Sequence, residues 1–420
     1  MVDLLIIGAG ASGTFAALAA RQAGMTSGSI VIIEKEDQPL RKVLASGNGR
    51  CNLLNTQATE GRLHGADPAF AQEVIRQSTA QSLIDRFEKL GLITLQEEEG
   101  RVYPRSMQSR SVSMILLRAL EEHKVTVECS TAAIGMEKTG NRFRITCQDG
   151  SVLTAKAVVV AAGSCATPDL GGTRLGYDLL ASLGHKVSEP RPALVPLTLS
   201  PHPLFKYAKG VRFRGCASFE STGTALARSC GEFLITSYGL SGIAAMELGR
   251  TVAVSCAKTT AEKHEKAGRL VIDFLPELDL ETVADILDRK DALNRDPRSV
   301  LAGLIPDKIG QSILTRFKDK QGFEFFDDLA VLRLAQMIKG LTLDVTGTRD
   351  FEFAHIASGG VVTDCFDASS MMSKRIGGLF ACGEVLDVDG DTGGFNLLWA
   401  FSSGYRAGQS AAKYLSVRQD

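Results

Sequence analysis

The chain has 420 residues, 44% hydrophobic and 23% charged, long enough for more than one domain around a sizeable core. With 47 Lys and Arg against 48 Asp and Glu, the formal net charge is −1, which argues against a nucleic-acid or anionic-membrane partner. Nine cysteines lie scattered without a C-x-x-C, and six histidines form no zinc pattern, which argues against a disulfide framework, a dithiol redox centre or a metal site and favours reduced thiols in the cytoplasm.

Val2 to Ile7 reads as a short buried strand, and Gly8-Ala9-Gly10-Ala11-Ser12-Gly13 after it is a G-x-G-x-x-G. Phe15 to Ala23 reads as a helix ended by Gly24, and Ser29 to Ile33 as a second strand closing on Glu34. The apolar opening is too short and too glycine-interrupted to span a bilayer, and Asp3 sits where an export signal needs a basic residue. Each part of a phosphate cradle is present. Gly8 permits the turn, Gly10 lets a pyrophosphate approach the backbone, and Gly13 lets helix and strand pack closely. The helix amides favour phosphate charge, and Glu34 would accept from ribose hydroxyls. The fingerprint identifies a dinucleotide site without separating NAD from FAD.

Residues 39–55 form a glycine-rich loop with Arg41, Lys42 and Arg50. The amides of Ser46, Gly47, Asn48 and Gly49 would line a long anionic cofactor, and the cations would approach its pyrophosphate or flavin. The carboxylates of 96–100 read as a solvated turn, followed by a strand at Arg101-Val102. Tyr103 and Arg105, next to it, are candidates for touching substrate. Residues 124–155 alternate as an antiparallel meander with an Asp149-Gly150 turn, and Ala157 to Ala162 is a buried strand ending in Gly163-Ser164. The proline-punctuated stretch 190–199 reads as a boundary. Beyond it, 204–256 has strand character, 280–340 has helical periodicity, and 341–360 returns the chain to the first domain. Leu379 to Cys382 is a short strand running into Gly383-Glu384. Asn396 to Leu415 is a long helix with Gly404 and Gly408 suited to close packing and Trp399 as a core residue.

The strings Gly8–Gly13, Ser46-Gly47-Asn48-Gly49-Arg50-Cys51-Asn52, Arg101-Val102-Tyr103-Pro104, Gly383-Glu384-Val385-Leu386-Asp387, Gly393-Gly394-Phe395-Asn396 and Ser403-Gly404 resemble those of the two-dinucleotide-fold flavoproteins. More narrowly, they resemble the bacterial NAD(P)/FAD-dependent oxidoreductases of the BaiN-like or aminoacetone-oxidase-like kind. The resemblance implies noncovalent FAD. Its ADP half would lie at Gly8, Gly10, Ala11, Ser12, Gly13, Glu34 and Lys35, with Ala133 offering backbone contacts to adenine. Lys42, the 46–52 loop, Gly163, Gly383, Glu384, Asn396 and Leu397 would hold the remainder, the last two opening a helix whose dipole faces the flavin pyrimidine edge. Two segments depart from the family pattern. Thr236-Ser237 and Ile243 stand where Thr-His and a proline are usual, and Arg174 and Leu175 replace small and acidic residues.

The expected architecture is α/β: a discontinuous Rossmann-like FAD-binding domain (1–190 and 345–420), an inserted β-rich, barrel-like domain (191–265 and 330–344) and a small helical subdomain (266–329). The expected activity is hydride transfer from NADH or NADPH, bound transiently, through the flavin to a small organic acceptor such as an enone or imine. Two readings compete with it: an amine or aminoketone oxidase using O2, and a flavin-binding redox sensor or scaffold with little turnover. The catalytic residue stays open, with His355 an acid–base candidate, Tyr103 a candidate substrate contact and Cys51 a candidate for a redox role at the flavin face; no metal is expected, and the oligomeric state is not read from the sequence.

Overall fold

The computed structural model describes residues 1–25, 29–58, 61–221, 223–259, 268–293, 299–321 and 328–417. The chain divides into two compact units, Met1–Pro190 with Ile356–Asp420, and Arg191–His355.

The first unit is built on a seven-stranded sheet. Strand Val2–Ile7 is central, parallel to Ile30–Ile33 on one side and Val152–Val160 on the other, with Thr126–Glu128 beyond Ile30–Ile33. Strand Val152–Val160 has two different partners along its length. Its first half pairs antiparallel with Arg142–Cys147, and its last residues pair parallel with Leu379–Ala381. The meander expected at 124–155 thus becomes an antiparallel extension of a parallel sheet. Leu4, Leu5 and Ile6 are fully buried, as are Val158, Val159 and Val160 beside them, because helices cover this part of the sheet.

The first helix, Ala11–Gln22, starts directly after Gly10, four residues earlier than its apolar run implies. Its partner is the C-terminal helix, Phe395–Ser416. The two helices meet at their backbones: a β-carbon on Gly404 would sit 2.2 Å from the Ser12 carbonyl oxygen, and one on Gly408 2.0 Å from that of Ala16. The contact explains the spacing of these glycines, and it welds the two ends of the chain into one layer.

The second unit contains a closed barrel of six strands: Leu197–Leu199, Gly239–Ser241, Thr224–Ile235, Arg212–Ser221, Gly268–Asp273 and Leu341–Thr348. Phe213, Phe219 and Phe233 point inward and are buried, with the rings of Phe213 and Phe233 stacked at 5.2 Å. Helices Leu280–Leu293, Asp307–Gln321 and Asp328–Lys339 bury Leu287, Ile313 and Leu334 in the same core. The helical part therefore does not stand apart from the barrel. Residues 268–273, expected within the helical segment, form a barrel strand because only alternate residues, Leu270 and Ile272, are buried. The return expected at 345 falls inside the strand Leu341–Thr348, and the first unit resumes at Ile356. The strand character expected to 256 stops earlier. Ile243–Thr259 is a helix burying Ala244, Ala245, Leu248 and Val252 on one face.

The expectation of reduced thiols throughout is also corrected. Cys216 and Cys230 stand opposite each other in the barrel hairpin and form a disulfide, while seven cysteines are free.

Candidate functional site

The first unit holds a cleft at the carboxyl ends of its parallel strands, where open α/β sheets bind their ligands. Among the helices that begin on its wall, two start from a glycine cap. At the first, Gly10 is the N-cap, no side chain caps the free amides, and no acidic residue lies in the first turn. At the second, the N-cap is Gly394, again without a side-chain cap or an acidic first turn. Gly10, Ala11 and Ser12 line the cleft from one helix, and Asn396, Leu397 and Ala400 from the other. Two uncapped, positively polarised helix starts facing one cleft make a site for a long, multiply charged anion. A β-carbon on Gly10 would meet nothing within 4 Å, so the space next to that backbone is open.

One end of the cleft is formed by Glu34, Lys35 and Glu36 with Thr131, Ala132 and Ala133. Glu34 accepts from the Ala9 N–H through Oε2 at 2.8 Å and from the Glu36 N–H through Oε1 at 3.0 Å. Each oxygen keeps a lone pair for a ribose hydroxyl. Lys35 and Arg41 both bind the Glu36 carboxylate. The hydrogen bond from Lys35, supported by the nearby Arg41 charge, holds that carboxyl below the usual range. Arg41 also donates to the Asp169 carbonyl at 2.8 Å, so it is anchored at the rim rather than free to meet a phosphate.

Midway, Glu384 accepts from Ser164 Oγ at 3.0 Å and from Lys42 Nζ at 3.4 Å. All three line the cleft together with Gly163. Gly383 lies beneath. Its N–H donates to Ser403 Oγ at 2.9 Å, and its carbonyl accepts from the Trp399 indole N–H at 3.1 Å. Trp399, 1% exposed, is thus a core residue that fixes the turn carrying Glu384.

The expected residues divide into three groups. Gly8, Gly10, Ala11, Ser12, Glu34, Lys35, Lys42, Ala133, Gly163, Glu384, Asn396 and Leu397 line the cleft; Gly13 and Gly383 lie behind its wall as packing positions. Ser46, Gly47, Asn48, Gly49, Arg50, Cys51 and Asn52 do not line it. They form a tight left-handed loop instead, with positive φ at Gly47, Asn48, Gly49 and Cys51. Cys51 is fully buried, and burial pushes its thiol up to about 11 despite the Ser46 hydrogen bond, so it is a protonated thiol at neutral pH. Arg50 lies over the ring of Tyr103, 5.5 Å from its centroid. Asn52 carries the one strong signal in the loop. Its Oδ1 is buried with no hydrogen-bond partner among the described residues and lies beside Gly394, at the start of the C-terminal helix. A buried orphan acceptor next to an uncapped helix start fits a ligand that brings its own donor. His355 falls in the second unit and is exposed.

Several participants are not singled out by the sequence. Leu40 and Leu179 supply apolar walls to the cleft, beside Leu175 from the segment that departs from the family pattern. Asn396 spends its amide on the preceding loop: Oδ1 accepts from the Gly390 N–H at 2.8 Å, and Nδ2 donates to the carbonyls of Gly390 at 2.9 Å and Asp391 at 3.2 Å. The Asp391 carboxylate in turn binds His64 Nε2 at 2.7 Å and Arg62 Nη1 at 3.1 Å. No helix of the described residues is long and apolar enough to cross a membrane.

Residues 2–410 match the family model described as "HI0933-like protein Rossmann domain". The chain is 34% identical over 415 residues to a 3-dehydro-bile acid delta(4,6)-reductase of Clostridium scindens, covering 97% of this chain and 98% of that protein. It is 28% identical over 416 residues to a ribosomal RNA dihydrouridine synthase of Escherichia coli, covering 97% of each. Among solved structures it is similar to 3-ketosteroid delta1-dehydrogenase from Sterolibacterium denitrificans, with a TM-score of 0.50 and 13% identity over 98% of this chain and 99% of that one. At that identity the likeness concerns the fold alone.

Proposed function

The chain belongs to the HI0933-like family of Rossmann flavoprotein oxidoreductases, and on that premise we propose that it is an FAD-dependent reductase of a carbon–carbon double bond conjugated to a carbonyl, supplied with electrons by NADH or NADPH. The observation that carries the proposal is the single cleft faced by two uncapped helix starts, with Glu34 at one end and the unpartnered Asn52 acceptor beside Gly394. FAD, when bound, supplies a centre that takes up and gives out a hydride.

The chain's own groups divide the binding between them. The amides after Gly10 meet the pyrophosphate, and the spare lone pairs of Glu34 meet the adenosine ribose. Glu384, held by Ser164 and Lys42, offers a fixed acceptor to the chain of hydroxyls between the two ends. The start of the C-terminal helix favours negative charge gathering on the flavin ring system. Leu175 and Leu179 give their part of the wall an apolar surface.

The acceptor class is supported by the two relatives. Both relatives, one named a 3-dehydro-bile acid delta(4,6)-reductase and the other a dihydrouridine synthase, carry names that denote saturation of a double bond conjugated to a carbonyl. The match at 34% identity and the net charge of −1 favour a free small molecule as acceptor. The match at 28% to the ribosomal RNA enzyme supports a second reading, in which the alkene is a uracil within RNA.

Purified protein is expected to show a flavin spectrum that NADH or NADPH bleaches anaerobically and that a 3-oxo-4-ene steroid restores. Failure of both nicotinamides to bleach it overturns the donor. Restoration by a ribosomal RNA transcript and not by the steroid selects the second reading.

A further inference from the structure

Saturating a conjugated double bond takes a hydride at one carbon and a proton at the other. One π bond breaks and two C–H bonds form. The hydride's electrons originate from the nicotinamide donor, so the protein must find the proton. Resting on the reductase reading above, we propose that His64, oriented by Asp391, is the acid that delivers this proton.

His64 and Asp391 lie 327 residues apart in the chain and meet at 2.7 Å. Their meeting is built by a short ladder in which Leu63–His64 pairs antiparallel with Asp389–Gly390. The chain next to His64 is pressed against the same loop, since a β-carbon on Gly65 would sit 2.2 Å from the Asp387 carbonyl oxygen. The loop that carries Asp391 leads directly into the C-terminal helix. Asn396, on the cleft wall, grips Gly390 and Asp391 with its amide. The pair does not itself line the cleft; Asn396 is the residue that touches both the cleft and the loop of the pair.

The pair has the polarity of an acid and its orienter. Asp391 occupies Nε2, and Nδ1 makes no hydrogen bond among the described residues. The side chain is 28% exposed, so water reaches it. On giving up its proton the imidazole becomes neutral and regains one from solvent. The charged groups around it are accounted for. Arg62 shares the Asp391 carboxylate, and Asp389 stands across the ladder. On the helix Pro68–Gln77, which packs against this strand, Asp67 caps the first turn and Glu73 pairs with Arg76. Burial raises the Asp391 carboxyl, but the hydrogen bonds from His64 and Arg62 outweigh it and leave it below the usual range. It therefore stays anionic throughout the range in which imidazole titrates. A merely structural ion pair would have the same contacts but no influence on proton delivery, and that difference decides the test.

Holoenzyme variants His64→Gln and Asp391→Asn are compared with the wild type by rapid mixing in two half-reactions. Bleaching by the nicotinamide is expected to change by less than about 3-fold in both. Restoration of the flavin by the enone is expected to slow about 100-fold or more in His64→Gln, the usual range for losing a general acid. The limb that proton delivery gives its pH profile should vanish, while Asp391→Asn should retain one. In the FAD-free protein, imidazole ¹⁵N spectra should show the Nε2–H tautomer at His64, and Asp391→Asn should weaken that preference. Wild-type restoration rates with an unchanged pH limb in His64→Gln would overturn the proposal while leaving the reductase reading intact. A wild-type protein that is bleached but restored by no conjugated carbonyl overturns both.

Discussion

A β-carbon added to Gly13 would lie 1.9 Å from the carbonyl oxygen of Gly8, whereas one added to Gly10 would meet nothing within 4 Å. Within one six-residue fingerprint, then, one glycine is required by the fold and another by the ligand. Gly13→Ala has no way to relax except by parting the first helix from its strand, and is expected to cost about 3 kcal/mol or to abolish folding. Gly10→Val should fold with a melting temperature close to that of the wild-type apoprotein and bind FAD at least about 10-fold more weakly, because its side chain fills the open space. Thermal unfolding and FAD titration of the two variants separate these effects. Full flavin occupancy in Gly10→Val would contradict the placement of the pyrophosphate.

Trp399 reaches across from the C-terminal helix to hold the carbonyl of Gly383 at 3.1 Å, immediately before the Glu384 of the cleft. Trp399→Phe keeps most of the buried ring and leaves that carbonyl without its indole donor. A loss of about 1–3 kcal/mol in stability is expected, with weaker FAD retention. Urea unfolding and flavin release rates measure the two consequences, and unchanged flavin release would show that the turn is held without the indole.

Cys51 sits in a left-handed loop, fully buried, with its thiol pushed up to about 11 by burial. The folded protein should resist iodoacetamide at Cys51 at pH 8, while the denatured protein reacts. The native thiol keeps its proton above the unfolded value, so its contribution to stability is complete below about 8.5 and falls as pH rises from there towards the native value. Mass spectrometry after brief labelling tests this, and rapid native labelling would restore Cys51 as a redox candidate.

The legible parts of the molecule are those whose physics is local. Strand, glycine turn and helix at residues 2–22 follow one another in sequence and touch in space, so Gly8, Gly10 and Glu34 announce themselves. The helix spacing of Gly404 and Gly408 is likewise readable, although the carbonyls they approach, on Ser12 and Ala16, are not. The features missed depend on register and on distant pairing. His64 is an unremarkable histidine until a two-residue ladder places it beside Asp391. Cys216 and Cys230 look like scattered thiols until the hairpin aligns them. The Ser46–Asn52 loop was readable as special but not as to its purpose: its residues fold into left-handed backbone off the cleft rather than lining it.

Asp391 also gives an acid-stability prediction. Its carboxyl is pulled below the ordinary value by His64 and Arg62 in spite of burial, so the pair stabilises the fold above that value. The contribution fades as pH falls through the native value. Asp391→Asn should therefore unfold at lower urea than the wild type at pH 7, and the gap should close as pH drops below about 3.9. A gap that persists undiminished at pH 3 would show that the carboxylate charge is not what stabilises this loop.

Cys216 and Cys230 face each other across the barrel hairpin with their α-carbons 4.0 Å apart and a sequence separation of 14. A loop of that size restrains the unfolded chain by about 3 kcal/mol at most in the chain-entropy picture. The ladder around it, from Arg212↔Leu234 to Ser221↔Thr224, exists independently of the bond. The double variant Cys216→Ala, Cys230→Ala should therefore retain the barrel and its far-ultraviolet dichroism and melt a few degrees lower. Denatured, unreduced protein should titrate seven free thiols, and nine after reduction, since the nine cysteines divide into seven free and one bonded pair. A dithiol reductant enters by attacking the exposed Cys230 sulfur, because Cys216 is only 5% exposed. Nine thiols without reductant would mean that the two sulfurs stand opposed in the hairpin as a reduced pair.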